Sequence, residues 1–118
     1  MILTLMKTKI HRATVTAADL SYEGSITVDA SLLKEAGILP YEQVHVYDID
    51  NANRFVTYAI EGAANSGTIC VNGAAARLVQ PGDRVIIVAY SQMSLDEARG
   101  FKPRVILVDQ KNRITSQA

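Results

Sequence analysis

The chain is poor in the residues that build redox and metal sites. Its single cysteine, Cys70, excludes an internal disulfide and any cysteine-cluster metal site. Its two histidines, His11 and His45, are far apart in the sequence and form no ligand pattern with carboxylates. We therefore predict no metal centre, and the β-rich surroundings of Cys70 favour a buried strand thiol over a nucleophile.

Excess charge and long apolar runs are also lacking. Lysine plus arginine and aspartate plus glutamate number 12 each, so the net charge is zero and no basic field attracts nucleic acid or anionic lipid. Lys7 and Lys9 interrupt the apolar N-terminus before a signal-peptide core can form, and no later stretch approaches a membrane span. We therefore expect a cytoplasmic protein with a small polar substrate, and neither nucleic acid nor a membrane as partner.

The length and composition fit one domain over residues 1–118. A chain of 118 residues can bury one core but is too short for two, and it contains no internal repeat or low-complexity linker. Hydrophobic residues make up 48% of the chain, and the zero net charge leaves little repulsion between copies. Self-association is therefore expected.

Short β-rich runs separated by turn residues dominate what is present. They include Lys9–Thr16, a hairpin made by Val44–Ile49 and Arg54–Ile60, and core strands at 84–90 and 103–108. Alternation along the second hairpin strand places Arg54 and Tyr58 on one face and Thr57 on the other. Six or more short strands predict a closed barrel, because closure removes the exposed edges of so small a sheet.

Two short helices and a loose tail complete the expected organisation. Asp29 and Gly37 are typical caps of a two-turn helix. The spacing of Ser94 and Glu97 predicts a capping box before a second short helix that ends at Gly100. The tail from Gln110 is polar, so we expect it to be loose.

The dipeptide Gly24-Ser25 has the most distinctive chemistry. The serine hydroxyl can add to the preceding carbonyl through a five-membered ring, and collapse the other way leaves an ester in place of the amide. Glycine suits the preceding position because it has no Cβ to shield its carbonyl and tolerates strained dihedral angles. Alone, however, Gly-Ser is common in ordinary turns.

Six ordered segments place this dipeptide in a larger pattern. They are KIHRATVT (9–16), ADL (18–20), YEGS (22–25), AGIL (36–39), RFVTYAI (54–60) and VNGAAA (71–76). In this combination the chain closely resembles the bacterial aspartate 1-decarboxylases that use a pyruvoyl group, over about residues 9–103. Leu3 stands where a basic residue is common in that family, and the tail after Lys111 has no firm counterpart.

The resemblance implies a mainly β fold, a six-stranded double-psi β-barrel with short helices, assembled as a homotetramer with active sites between subunits. It also implies an inactive proenzyme that cleaves itself between Gly24 and Ser25, giving fragments 1–24 and 25–118. Loss of the Ser25 α-proton then expels the Gly24 carboxylate, and hydrolysis with release of ammonia leaves a covalent pyruvoyl group. Whether a maturation factor assists this step stays open.

The implied activity is that of a carbon–carbon lyase, an L-aspartate decarboxylase that forms β-alanine and CO2 for pantothenate and coenzyme A biosynthesis. The amine of aspartate would form a Schiff base with the pyruvoyl ketone, which accepts electrons as the carboxylate leaves, so neither a metal nor pyridoxal phosphate is needed. Other substrates stay open, because glutamate differs by one methylene.

The family roles transfer to matching positions of this sequence. Tyr58 is implied as the proton donor to the substrate carbon, and Thr57 as a hydrogen-bonding aid to cleavage at Gly24 that also binds substrate. Two cations suit a dicarboxylate, and the implied pair is Arg54 with Lys9, the latter from a neighbouring subunit. The remaining implied substrate contacts are Asn72, Gly73, Ala74 and Ala75, while His11 and Tyr22 have less certain roles near the cleavage segment.

Two alternatives come from other classes. A noncatalytic β-barrel binding module would use Gly24-Ser25 only as a turn. A serine hydrolase would pair Ser25 with His11 or His45, but the sequence has no Gly-x-Ser-x-Gly elbow. Intact mass separates the first alternative from a self-cleaving chain.

Overall fold

The computed structural model describes residues 1–117. Within this range the chain forms nine strands: β1 (Ile2–Thr14), β2 (Ala17–Asp19), β3 (Ser25–Asp29), β4 (Gln43–Asp48), β5 (Arg54–Gly62), β6 (Ile69–Asn72), β7 (Arg84–Ser94), β8 (Arg104–Val108) and β9 (Ile114–Gln117). Helix α1 (Ala30–Ala36), helix α2 (Leu95–Gly100) and a 3-10 helix (Gly73–Leu78) connect them. The radius of gyration is 13.9 Å, close to the roughly 13.5 Å expected for one compact domain of this length.

Six strand positions form a closed ring. Strand β1 pairs with β7, which pairs with β4, and β4 continues through β5 and β3 to β6. The ring closes because β2, which follows β1 after two residues, pairs with β6. Between β1 and β2, Val15 N donates to the Asp83 carbonyl and Thr16 N donates to the Ile69 carbonyl, each at 2.8 Å. The strand made by β1 and β2 therefore spans the seam of the barrel.

The strand pairings explain why the structure has nine strands although a six-stranded barrel was expected. If β1 and β2 are counted as one ring strand, β8 and β9 lie outside the ring, with β8 parallel to β1 and β9 antiparallel to β8. The β2–β6 and β3–β5 pairs are parallel, which excludes a simple up-and-down meander because parallel neighbours need crossover connections. The predicted mainly β fold class, with one domain and short helices, is confirmed.

The core is formed by the inner face of this ring together with buried residues of α1 and β8. Strand residues alternate between the two faces of a sheet, so every second side chain points inward. The largest fully buried side chains are Ile10, Val15, Ile26, Val28, Leu32, Leu33, Val44, Val46, Ile69, Val71, Ile87 and Ile106. The outward-facing residues of the same strands are therefore available for chemistry.

The predicted helix caps are confirmed. Asp29 Oδ1 accepts from Ser31 N at 2.8 Å, and Gly37 ends α1 in the left-handed conformation with φ 73°. Ser94 and Glu97 form both bonds of the capping box. Helix α2 includes Gly100 and ends at Phe101, one residue later than expected. No helix among residues 1–117 is long and apolar enough to cross a membrane.

The prediction of a loose tail is wrong for the stretch before Ala118, which itself lies outside the described residues. Strand β9 pairs with β8 through Val108 and Ile114. The turn before it is fixed by Asn112, which is 2% exposed and whose side chain bonds both the N–H and the carbonyl of Thr14. Polarity predicted a loose tail, but a buried amide whose hydrogen bonds are satisfied is stable in the interior.

Candidate active site

Ser25 is a buried residue at the start of β3. It is 1% exposed, and its antiparallel partner on β6 is Asn72. The Asn72 amide Nδ2 donates to Ser25 Oγ at 3.0 Å. Because an amide nitrogen has no basic lone pair, Asn72 orients the hydroxyl but cannot remove its proton.

Thr27 and Cys70 fix the orientation of this amide, and neither was predicted as a site residue. Asn72 Nδ2 also donates to Thr27 Oγ1 at 3.0 Å, and the Cys70 thiol donates to Asn72 Oδ1 at 3.3 Å. Burial raises the pKa of Cys70, and the nearby charge of Asp19 raises it further, so the thiol keeps its proton. Cys70 is partly rather than fully buried, and it is a donor within the site rather than a nucleophile. The period-2 pattern could have placed Thr27 and Cys70 beside Ser25 and Asn72, but only with the β3–β6 register known.

Gly73 makes the closest backbone approach to the predicted cleavage point. A Cβ built on Gly73 would lie 2.7 Å from Gly24 Cα, 2.8 Å from Gly24 N and 3.2 Å from the Tyr22 carbonyl oxygen. Its φ is +73°, a region that side chains other than glycine rarely adopt. Gly73 therefore lets residues 22–24 lie directly against the end of β6.

Gly24 itself differs from the expectation. Its φ is not among the positive values in residues 1–117, and a Cβ on Gly24 would meet nothing within 4 Å. The glycine of this site that has a left-handed backbone conformation is therefore Gly73. Any advantage of glycine at 24 lies in exposing its carbonyl, not in the backbone conformation of the uncut chain.

The loop before Gly24 is organised by Asp19. Its Oδ1 accepts from both the N–H and the hydroxyl of Ser21, at 3.0 and 2.8 Å. These bonds, with a third from the Tyr22 N–H, lower the pKa of Asp19. The Tyr22 side chain is 53% exposed. Tyr22 thus contributes its backbone to the packing against Gly73, while its ring faces outward.

Strand β5 lies on the other side of Ser25. The parallel register pairs Ile26 with Ala59, and extending it by one residue places Ser25 beside Tyr58. Directly neighbouring residues point to the same face of a sheet, so Ser25, Asn72 and Tyr58 share the outer face. Thr57 points to the opposite face, and among residues 1–117 the hydroxyl of Ser25 has Asn72, not Thr57, as its hydrogen-bond partner.

Arg54 shares the outer face with Tyr58, as predicted, but stands four residues away along β5. At about 3.3 Å per residue this is roughly 13 Å between α-carbons. Lys9 of β1 lies on the same outer face. It pairs with Val88 of β7, which pairs with His45 of β4, and His45 pairs with Val56 of β5. Three strand spacings separate Lys9 from β5, or roughly 14 Å. One chain therefore brings together Ser25, Asn72, Gly73 and Tyr58, but not the two cations.

The other candidates surround this centre or lie apart from it. Ala74 is exposed and Ala75 half-buried, in the 3-10 helix after Gly73. His11 on β1 has a buried Nδ1 without a hydrogen-bond partner in the described chain, and burial lowers its pKa, followed by the charges of Lys9 and Arg12. Neither His11 nor His45 donates to or accepts from Ser25 Oγ within residues 1–117, so the hydrolase alternative gains no support.

A separate group of carboxylates lies where β4 and β7 meet the turns of the barrel. Asp48, Asp50 and Asp83 present oxygens within 4.8 Å of one another, which no sequence spacing indicated. Asp48 is 3% exposed, and burial together with the Asp83 carboxylate raises its pKa to about 6. When both carboxylates are ionised, Asp48 Oδ2 has no donor. A proton held between Asp48 and Asp83 supplies one.

The comparison with known families gives the class of protein. A family model described as aspartate decarboxylase matches residues 1–115 of the 118. The chain belongs to the aspartate decarboxylase family. The family resemblance inferred from the sequence motifs is thereby confirmed.

Curated relatives agree with this family over nearly the whole chain. An aspartate 1-decarboxylase of Clostridium beijerinckii is 60% identical over 97% of this chain and 92% of its own length. One from Clostridium botulinum (strain Loch Maree) is 57% identical over 97% of this chain and 90% of its own length. One from Moorella thermoacetica is 60% identical over 95% of this chain and 88% of its own length.

One solved structure has limited similarity to the chain. The crystal structure of the rationally designed mkDPBB_sym_86 protein covers 67% of this chain and 91% of its own, with a TM-score of 0.49 and 15% identity.

Proposed function

We propose that this chain is the precursor of an enzyme that decarboxylates L-aspartate to β-alanine and CO2, and so supplies pantothenate and coenzyme A biosynthesis. Family membership and the names of the relatives support the reaction. The observation that carries the proposal is the buried Ser25 hydroxyl, which directly follows Gly24 and is held by Asn72 at 3.0 Å.

Self-cleavage between Gly24 and Ser25 begins with attack by Ser25 Oγ on the Gly24 carbonyl carbon. The C–O bond forms as the C–N bond breaks, and the hydroxyl proton passes to the released nitrogen, which gives an ester. Removal of the Ser25 α-proton then breaks the Cβ–O bond and releases the Gly24 carboxylate. Water replaces the nitrogen of the resulting enamine, ammonia leaves, and fragments 1–24 and 25–118 result.

The residues around Ser25 fit a pyruvoyl group formed in place. Asn72 is a neutral donor that is already directed at the Ser25 side chain, and the absence of a side chain on Gly73 lets the Gly24 backbone lie against the end of β6. When formed, the group supplies a ketone that binds the substrate amine and accepts electrons as CO2 leaves. No metal and no pyridoxal phosphate take part in this proposal.

The chain's own groups then bind the substrate and move protons. Tyr58, next to Ser25 on the outer face and 38% exposed, would return a proton to the substrate carbon. Thr57 would polarise the Gly24 carbonyl during cleavage and contact substrate afterwards, which requires the backbone at 24 to approach its face of β5. Asn72 and the backbone of Gly73, Ala74 and Ala75 would hold the substrate beside Ser25.

A homotetramer with sites between subunits accounts for the distant cations. Lys9 lies three strand spacings from β5, or roughly 14 Å, and level with Val56 rather than with Ser25. Lys9 of a neighbouring chain would therefore join Arg54 in each site. We propose a cytoplasmic location for this biosynthetic enzyme, and a maturation factor is compatible with the exposed loop at 20–24.

Intact mass measurement followed by an aspartate decarboxylation assay on the same sample tests this function. We expect fragments 1–24 and pyruvoyl-bearing 25–118, together with β-alanine. Ser25→Ala should abolish both, because a methyl group cannot become a ketone, whereas Ser116→Ala, at an exposed serine of β9, should change neither. An uncut wild-type chain after long warm incubation would instead favour a noncatalytic binding module.

A further inference from the structure

We propose that Tyr47 and Tyr90 are positioning residues that hold the Arg54 guanidinium ready for a substrate carboxylate. The proposal rests on the proposed function, in which Arg54 binds one carboxylate of the substrate. Tyr47 and Tyr90 belong to β4 and β7, and neither was singled out for chemistry by the sequence.

Tyr47 supports Arg54 through its ring. The two residues are directly paired across β4 and β5, and Arg54 Cζ lies 4.8 Å from the centroid of the Tyr47 ring. A guanidinium at this distance over an aromatic face is attracted by the negative face of the ring. The contact favours those rotamers of Arg54 that keep the guanidinium over the ring.

This kind of contact leaves Arg54 free to bind. Among residues 1–117 Arg54 has no ion-pair partner; the side-chain ion pair described there joins Lys7 and Glu42. A carboxylate neighbour would orient the arginine too, but it would occupy the N–H donors and neutralise the charge. An aromatic ring contacts only the face of the guanidinium, so the in-plane donors stay available for a bidentate carboxylate.

Tyr90 fixes the ring of Tyr47 in turn. The two hydroxyls are 2.7 Å apart, and Tyr90 packs edge-on against His45 with centroids 4.8 Å apart. The ring of Tyr47 is thus attached to its own strand at one end and to β7 at the other. The hydrogen bond to Tyr47 and burial also raise the pKa of Tyr90, which keeps that hydroxyl protonated.

Kinetics of matched variants test the proposal on the full, self-processed protein. Tyr47→Leu removes the ring, and we expect KM for L-aspartate to rise about three- to tenfold while kcat changes less than about twofold. Tyr47→Phe keeps the ring and should stay within about twofold of wild type. Tyr47→Phe, Tyr90→Phe and the double variant should have equal KM values, since each breaks the same hydrogen bond between the two hydroxyls.

A spectroscopic measurement and the binding of succinate, an unreactive dicarboxylate, make the result independent of turnover. The Arg54 Hε resonance should carry a ring-current shift in the Ser25→Ala chain that Tyr47→Leu removes and Tyr47→Phe retains. In processed protein, the Kd for succinate should follow KM across the variants. Unchanged KM and Kd in Tyr47→Leu, or a fall in kcat alone, would overturn the proposal.

Failure of the proposed function is distinguishable from this outcome. If wild-type protein processes but forms no β-alanine, the function is wrong, and succinate binding still tests whether Tyr47 positions Arg54. If Arg54→Ala raises KM strongly and Tyr47→Leu does not, the function stands and the positioning role is refuted.

Discussion

The Asp48–Asp83 contact predicts that replacing Asp48 by asparagine stabilises the protein in a pH-dependent way. The pKa of Asp48 rises from 3.8 to about 6 on folding. At about 1.36 kcal/mol per pKa unit, this shift amounts to about 3 kcal/mol. Such a change is a large part of the roughly 5–15 kcal/mol that stabilises a typical domain.

The sign follows from proton binding. Between pH 4 and 6 the folded protein keeps the proton on Asp48 and the unfolded chain loses it, so the wild-type free energy of unfolding falls over this range and levels off above about pH 6. An asparagine donates to Asp83 at every pH, while its oxygen can still accept from the Asp50 and Asn51 N–H groups as Asp48 Oδ1 does. The advantage of Asp48→Asn over wild type should therefore grow by roughly 2–3 kcal/mol from pH 4 to pH 8.

Urea unfolding of the Ser25→Ala chain, with and without Asp48→Asn, measures this difference at fixed protein concentration. The Ser25→Ala background keeps every molecule uncut. Asp19→Asn serves as a control for the sign, because hydrogen bonds from Ser21 lower the pKa of Asp19 and its contribution is lost as pH falls. A stability difference for Asp48→Asn that stays flat from pH 4 to pH 8 would show that Asp48 ionises as it does in water.

Three further predictions concern the cleavage site and are measured by intact mass and β-alanine formation. Gly73→Ala should block or greatly slow cleavage, because its Cβ would lie 2.7 Å from Gly24 Cα. The control Gly100→Ala, whose Cβ meets nothing within 4 Å, should process normally. Normal processing of Gly73→Ala would refute this prediction. Asn72→Ala should fold but cleave at least about tenfold more slowly, since about 1.4 kcal/mol of a lost hydrogen bond corresponds to a factor of ten; an unchanged cleavage half-time contradicts the role of that bond. Tyr58→Phe should cleave normally and lose turnover, and full activity would remove Tyr58 as the proton donor.

Local signals were sufficient to predict much of the fold. The caps Asp29 and Gly37 bound α1 as expected, because capping depends on a few adjacent residues. Alternation likewise placed Arg54 and Tyr58 on one face. The family motifs then supplied the barrel and the candidate residues, which composition and periodicity could not.

Features that depend on the closure of the ring were not predictable in this way. Asp48 and Asp83 are 35 positions apart and meet only because β4 and β7 pair. The clash that a side chain at 73 would make with Gly24 similarly depends on where the loop at 20–24 folds back. The error at the C-terminus had the same origin, since the polar turn at Asn112 is stabilised by bonds to β1 that its own sequence does not reveal.

Because residues 1–24 include the seam strand of the barrel, a cut after Gly24 would change how the molecule refolds. Residues 1–24 contain all of β1 and β2, including the buried side chains of Ile10 and Val15. The released fragment would therefore remain as one wall of the barrel rather than leave as a propeptide. Before the cut, the folding of each single chain is a first-order process. After the cut, the denatured fragments 1–24 and 25–118 must associate in solution, so refolding becomes second order and slows on dilution. Maturation in this architecture would exchange single-chain folding for a cofactor.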